Sequence, residues 1–312
     1  MTVRRPGVLL MTYGSPSSVD VASVRAYLAR VRGGREPSRD LVEEFTRRYQ
    51  VIGGSPLIGI TRDLAAALED RLGRPVAVGM RFSEPTIADG LRELADRDVT
   101  EVAAIVLSPQ FSQLLMGGYG RAIDEARSAM GDAAPEVVVA GPWHDEPAFV
   151  EALAGRTQAA LGDLARDGFG SPAVLMTAHS LPREVAEREP DYLAQLRVTA
   201  GDIAASAGLG PDGWQFAWQS AGHEPGEWMK PDFADLMPEL AAAGHRRVVA
   251  APIQFLADHL EILYDVDVGA REQAEAAGSG FRRIESLNTE PRFIDALASV
   301  ARRTLGAAAL IR

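Results

Sequence analysis

The chain has 312 residues, 46% of them hydrophobic and 24% charged, which suits two domains of ordinary size or one large α/β unit. A net charge of -11 argues against a nucleic-acid surface, which needs a basic stripe to neutralise phosphates. There is no cysteine, which excludes disulfides, thiolate zinc sites, cysteine nucleophiles and cysteine-held iron–sulfur clusters, so any metal must meet nitrogen or oxygen.

From the N-terminus, the apolar run Gly7–Met11 ends in the turn Gly14-Ser-Pro16. That run is too short for a secretory signal, and no stretch reaches the roughly 20 apolar residues of a membrane-spanning helix, so a cytoplasmic protein is expected. Strands are predicted at Val8–Met11, Val76–Met80, Val102–Leu107, Val137–Ala140, Ala173–Thr177, Phe216–Gln219, Val248–Pro252 and Phe281–Ile284. Most are unbroken apolar runs, the pattern of strands buried on both faces of a parallel sheet. Amphipathic helical segments fall between them at Ile60–Leu72, Pro85–Asp96, Pro147–Asp167, Pro190–Ala207 and Phe233–Ala243. Such alternation predicts an α/β fold with right-handed crossovers.

The chain also echoes itself. Val8-Leu-Leu-Met-Thr-Tyr-Gly-Ser-Pro16 is matched by Val174-Leu-Met-Thr-Ala-His-Ser-Leu-Pro182, and Ile105-Val-Leu-Ser-Pro-Gln-Phe111 by Val249-Ala-Ala-Pro-Ile-Gln-Phe255. Two echoes in the same order predict a duplicated, doubly wound domain: two similar Rossmann-like halves, 1–145 and 146–312, with the last helix free to pack back on the first half. Ligands of open parallel sheets bind outside the carboxyl ends of the strands. Tyr13, Gln110, Phe111, His179, Ser180 and the stretch Gln254 to His259 all fall there, so a flat ligand between two walls is expected.

Nucleotide and hydrolase chemistry find no support. There is no phosphate-binding loop with its lysine, no G-x-G-x-x-G after a strand, no G-x-S-x-G elbow and no H-E-x-x-H. Of the five histidines, His245 reads as a surface residue in Gly244-His-Arg-Arg247, and His144 and His223 carry no signal beyond that. His179 differs, because it stands at a strand's carboxyl end beside Ser180 and Pro182, and an imidazole titrates near neutrality as a proton acceptor must. Asp258-His-Leu-Glu-Ile-Leu-Tyr-Asp265 reads as the opening of an α-helix with Asp258, Glu261 and Asp265 on one face. Two readings stand for that stripe: a solvated helix face, or carboxylates at a ligand-binding edge beside a histidine. Oxygen and imidazole donors suit a labile divalent ion such as ferrous iron. Metal insertion into a porphyrin needs a sink for two pyrrole protons and a path for the ion. These residues permit that chemistry without singling it out.

Over nearly its whole length the chain resembles the ferrochelatase family. The resemblance rests on Tyr13-Gly-Ser-Pro16, Val31-Arg-Gly-Gly-Arg-Glu-Pro37, Arg48-Tyr-Gln-Val-Ile-Gly-Gly-Ser-Pro-Leu57, Leu107-Ser-Pro-Gln-Phe-Ser112, Thr177-Ala-His-Ser-Leu-Pro182, Trp218-Gln-Ser220, Phe255-Leu-Ala-Asp-His-Leu-Glu-Ile-Leu-Tyr-Asp265 and Asn288-Thr-Glu-Pro-Arg-Phe-Ile-Asp-Ala-Leu297. It implies two similar chelatase-like α/β domains with a porphyrin cleft between them, and insertion of Fe2+ with release of two protons in haem biosynthesis. His179 and Glu261 correspond to the iron-side pair, His179 accepting pyrrole protons and Glu261 touching the metal or relaying protons. Tyr13 matches the tyrosine that ligates iron from the other side in the Gram-positive-type, coproporphyrin III-using members. Arg32, Arg48, Tyr49, Ser55 and Tyr119 match positions for propionate and ring contacts. Plain alternatives remain: surface charge for Arg32 and Arg48, a helix cap for Ser55, and ordinary core for Leu114-Leu-Met116. A protoporphyrin IX ferrochelatase and a non-catalytic haem carrier are the rival functions. The resemblance implies a monomer with coproporphyrin III and Fe2+ as substrates and no cofactor beyond that iron. Three departures stand out: Gly269 where relatives extend the carboxylate stripe, Ala221 where many have glutamate, and no cysteines for the cluster that some members carry.

Overall fold

The computed structural model describes residues 4–166, 172–222 and 226–310, with side chains up to residue 306. Two compact units emerge: Met1–Trp143 with Ala257–Leu260 and Asn288–Arg312, and His144–Leu256 with Glu261–Leu287. The second unit therefore closes at Leu287, and the C-terminal segment belongs to the first.

In the first unit β1 (Pro6–Thr12), β2 (Val76–Met80), β3 (Glu101–Val106) and β4 (Glu136–Val139) form one parallel sheet in the order β2-β1-β3-β4. Leu9, Leu10, Val102 and Ile105 are fully buried, because helices cover both faces and the central strands meet water only near their ends. The helices of this unit are α1 (Val21–Val31) and α2 (Arg39–Val51), which pack on each other, α3 (Leu57–Leu72), α4 (Ile87–Asp96), α5 (Gln113–Met130) and, from the C-terminus, α11 (Pro291–Leu310), which packs on α3 and β3. Their starts are chemically marked. Asp20, Ser38 and Ser112 accept N–H bonds at the first turns of α1, α2 and α5, and Thr86 with Asp89 forms a reciprocal capping box on α4.

The second unit repeats the plan. β5 (Ala173–His179), β6 (Gln215–Gln219), β7 (Arg247–Pro252) and β8 (Gly280–Arg283) are parallel in the order β6-β5-β7-β8, the same second-first-third-fourth order. The two sequence echoes fall on equivalent strands, β1 with β5 and β3 with β7. Helices α6 (Pro147–Arg166), α7 (Arg183–Arg188), α8 (Pro190–Ser206), α9 (Phe233–Ala242) and α10 (Arg271–Ala276) surround this sheet, and Asp232 with Asp235 forms the capping box of α9.

One expected element is different in kind. Glu261–Ala270 is a π-helix, whose bonds run from i to i+5, instead of the α-helix expected to start near Asp258. Ile262, Val266 and Ala270, four residues apart, are its buried positions. Asp258 lies ahead of it: its N–H donates to Asn288 Oδ1 at 2.9 Å, and its Oδ2 accepts from Asn288 Nδ2 at 3.0 Å. The expected Asp258–Glu261–Asp265 stripe on one α-helical face is therefore not formed. Among the described residues no group of three or more histidine or acidic side chains could hold a metal ion. Among them, too, no helix is long and apolar enough to cross a membrane.

Candidate metal-insertion site

In both sheets the strand order reverses between the first and third strands, so the ligand-binding edge lies past the carboxyl ends of β1 and β3 in one unit and of β5 and β7 in the other. His179 is the last residue of β5, and Glu261 opens the π-helix that follows β7. His179 Nε2 stands 3.7 Å from Glu261 Oε2, with the two side chains 28% and 35% exposed. Both thus reach solvent, His179 from the end of a central strand and Glu261 from the first turn of the π-helix.

The imidazole is oriented by its surroundings. Nδ1 makes a close contact to the carbonyl oxygen of Ser180, and a carbonyl can only accept, so Nδ1 carries the hydrogen. Nε2 is then the basic nitrogen, turned to Glu261. Phe255 meets the ring edge-on at 6.1 Å between centroids, and Trp228 lies at 6.5 Å. A Cβ on Gly222 would come within 2.7 Å of the Trp228 indole, so glycine is what leaves room for it.

Behind the histidine is a buried polar layer that the sequence did not announce. Thr177 Oγ1 donates to Gln219 Oε1 at 2.5 Å, Ser180 N–H donates to Gln219 O at 2.7 Å, and Ser180 Oγ donates to Met229 O at 3.1 Å. Ser220 follows with φ +56°, a left-handed conformation uncommon for serine and found more often near functional sites. The π-helix carrying Glu261 is pinned to β8 by a two-pronged pair, Arg283 Nε to Asp267 Oδ1 and Nη2 to Oδ2, each at 2.8 Å. Neither Asp267 nor Arg283 stood out in the sequence, because nothing in their spacing shows that they meet.

In the first unit Tyr13 follows β1 and is 44% exposed, an uncommon setting for a large aromatic ring. Its carbonyl accepts from Phe82 N–H at 3.1 Å, and its ring meets Phe82 edge-on at 4.6 Å. The Arg81 guanidinium lies between the rings of Phe82 (4.7 Å) and Tyr119 (5.3 Å). It occupies the space a side chain at Gly118 would fill, since a Cβ there would come within 2.0 Å of Nη2. Sequence reasoning passed over Arg81, whose signal was its place just past β2. Tyr119 is buried in the apolar core of α5, and burial pushes its hydroxyl up, against the nearby Arg81 charge that lowers it.

The remaining expected residues are spread over α1, α2 and the loop after α2. Arg32 caps α1. Arg48 is paired with Glu44 at 2.8 Å and lies over the Phe45 ring, so a ligand carboxylate there would share it with Glu44. Tyr49 is buried on the inner side of α2. Ser55 Oγ accepts from Leu57 N–H at 3.4 Å, a long local bond ahead of α3, whose N-cap is Pro56 and carries no side-chain cap. In the apolar run at the start of α5, Leu114 is exposed and Met116 buried, so only Leu114 faces outward. Elsewhere, burial holds the His144 imidazole below its ordinary value, the His259 ring bonds Ala257 O at 2.8 Å, and His223 lies outside the described residues.

Solved structures of similar shape are chelatases. SirB from Bacillus subtilis with Fe3+ aligns with a TM-score of 0.57 over 96% of this chain and 95% of its own, at 14% identity. The sirohydrochlorin chelatase SirB from B. subtilis subspecies spizizenii, in complex with cobalt, gives 0.56. Likeness at that identity defines the fold class alone, a chelatase-like pair of α/β units.

Sequence narrows the class. The model of the family described as Ferrochelatase matches residues 5–305. A ferrochelatase of Deinococcus radiodurans is 37% identical over 310 residues, covering 97% of each chain. A coproporphyrin III ferrochelatase of Bacillus subtilis is 33% identical, covering 98% of this chain and all of its own. The chain belongs to the ferrochelatase family.

Proposed function

We propose that this protein inserts Fe2+ into coproporphyrin III and releases two protons. The observation that carries the reading is the pair in the second unit: a histidine whose Nδ1 is tied off and whose basic Nε2 stands 3.7 Å from a glutamate. A free-base porphyrin holds two pyrrole N–H groups, and an Fe2+ ion taking all four nitrogens displaces both protons, so charge balances. His179 Nε2 accepts a pyrrole proton, and the Glu261 carboxylate beside it takes the proton over toward solvent or steadies the incoming cation. Neither group need move far, because one ends a central strand and the other begins a helix pinned to β8.

The choice of coproporphyrin III is supported by Tyr13 and by several relatives that carry that substrate in their names. Tyr13 supplies a phenolate oxygen to iron in the product. Arg32 and Arg48 offer guanidinium groups to propionates, with Ser55 as a hydroxyl partner; Tyr49 and Tyr119 are buried, so no ring contact is assigned to them. Iron enters as substrate, and with no cysteine the chain has no thiolates to hold a cluster.

The test is anaerobic. Enzyme, ferrous iron and metal-free coproporphyrin III or protoporphyrin IX are mixed, and loss of the four-band free-base spectrum is followed. Coproporphyrin III is expected to be metallated faster. Preference for protoporphyrin IX would overturn the substrate assignment, and failure to metallate either faster than buffer would overturn the enzyme reading.

A further inference from the structure

β5 is longer than its neighbour. Its last partner on β7 is Pro252, which sits opposite Thr177, and the bond from Ile253 N–H to Thr177 O at 2.9 Å closes that ladder. β5 continues to His179, while the chain beyond Pro252 leaves the sheet. In an unbroken parallel ladder the His179 N–H would meet a main-chain carbonyl of the neighbouring strand. Instead it donates to the side-chain Oε1 of Gln254 at 2.9 Å.

The orientation of that amide is fixed by its partners. A main-chain N–H can only donate, so the atom it meets is oxygen, and the amide's other end is Nε2, which donates to the hydroxyl of Tyr192. Tyr192 is completely buried on α8 in the same unit, and burial keeps its hydroxyl protonated. One side chain thus replaces the missing rung and ties the peptide of His179 to a rigid aromatic anchor. In the sequence echo Gln254, which is half-buried, corresponds to Gln110, which is fully buried just past the third strand of its sheet.

We propose that Gln254, anchored by Tyr192, is a positioning residue for His179. It holds the last peptide of β5 so that the imidazole keeps its bond to Ser180 O and presents Nε2 to Glu261. The proposal rests on His179 being the base of the metal insertion. It assigns Gln254 no contact with porphyrin or iron.

Two near-isosteric variants test it, Gln254→Met and Tyr192→Phe, each made in the wild-type and the His179→Ala backgrounds. Misplacing a reacting group by about 1 Å costs up to roughly 100-fold in rate. Gln254→Met is therefore expected to lower kcat about tenfold, and Tyr192→Phe by less, with KM for porphyrin and for iron within about twofold of wild type. In the His179→Ala background neither should lower the residual rate further, because a residue acting through His179 has nothing left to position. An unchanged kcat for Gln254→Met, a loss carried by KM, or the same fold-loss with and without His179 would overturn the proposal. If His179→Ala itself keeps the wild-type rate, the base assignment falls and the proposal with it. If His179→Ala is inactive while Gln254→Met is normal, the proposal falls alone.

Discussion

Replacing Arg283 by methionine is the sharpest test of how Glu261 is held. The guanidinium makes two parallel bonds to Asp267 on the π-helix and also reaches Ile284 O at 2.9 Å and Ser286 Oγ at 3.1 Å. The two side chains are only 12% and 25% exposed. Removing one member of a fully buried ion pair costs about 3–5 kcal/mol, because the other charge is left desolvated. Asp267 regains part of its hydration at this exposure, so a loss of about 2–3 kcal/mol is expected. For a unit of this size that lowers Tm by roughly 5–10 °C. The double variant Asp267→Leu with Arg283→Met removes both charges and should recover most of the loss. Thermal unfolding by circular dichroism, with metal-insertion rates on the same samples, reads both consequences. The single variant should also lose rate, since the first residue of the loosened helix is Glu261. A single variant melting within a degree of wild type, or a double variant less stable than the single, would refute the reasoning.

Other expectations follow from the same packing. Gly90→Ala in α4 should destabilise although helix propensity alone favours alanine by about 1 kcal/mol. A Cβ there would lie 2.5 Å from Val78 O and 2.6 Å from Leu9 Cδ1, and overpacking of about 1–3 kcal/mol outweighs propensity; a raised Tm would contradict this. The Glu44 carboxyl is held down to about 2 by hydrogen bonds from Arg47 and then Arg48. Its contribution is therefore complete above its ordinary value of 4.5 and is lost as pH falls toward 2. Glu44→Gln should flatten part of the drop in urea midpoint across that window, modestly because the group is partly exposed; an identical slope would contradict it. Tyr13→Met should change the visible spectrum of the iron-porphyrin product more than it changes the insertion rate, and an unchanged spectrum would remove Tyr13 as a ligand.

The strands were legible because a sheet covered on both faces writes itself as unbroken apolar runs, as at Val8–Met11 and Val76–Met80. Helix α5 is not among the predicted helical segments; in the fold its Gly118 makes room for Arg81. The π-helix was hidden for a different reason. Its residues carry an ordinary amphipathic pattern, and what accompanies the wider turn is a pairing with Arg283, distant in sequence and set by tertiary contact. The same holds for Asp258, which pairs with Asn288 thirty residues away and so leaves the stripe. Of the site, His179 and Glu261 were visible as a histidine and a carboxylate at strand ends, but the atoms that aim them were not. Gln254 acts on the main-chain N–H of His179 and Ser180 acts through its own carbonyl, and a sequence shows neither where an N–H nor where a carbonyl points.

The central claim is that His179 takes the pyrrole protons with Glu261 beside it. It is tested most directly by single-turnover insertion of Fe2+ into bound coproporphyrin III, comparing wild type, His179→Ala and Glu261→Gln. General-base catalysis contributes about 100- to 10,000-fold, so the His179 variant should lose at least two orders of magnitude and the Glu261 variant a large part of its rate, while both still bind the porphyrin. Turnover at the wild-type rate per bound porphyrin in either variant would contradict the account.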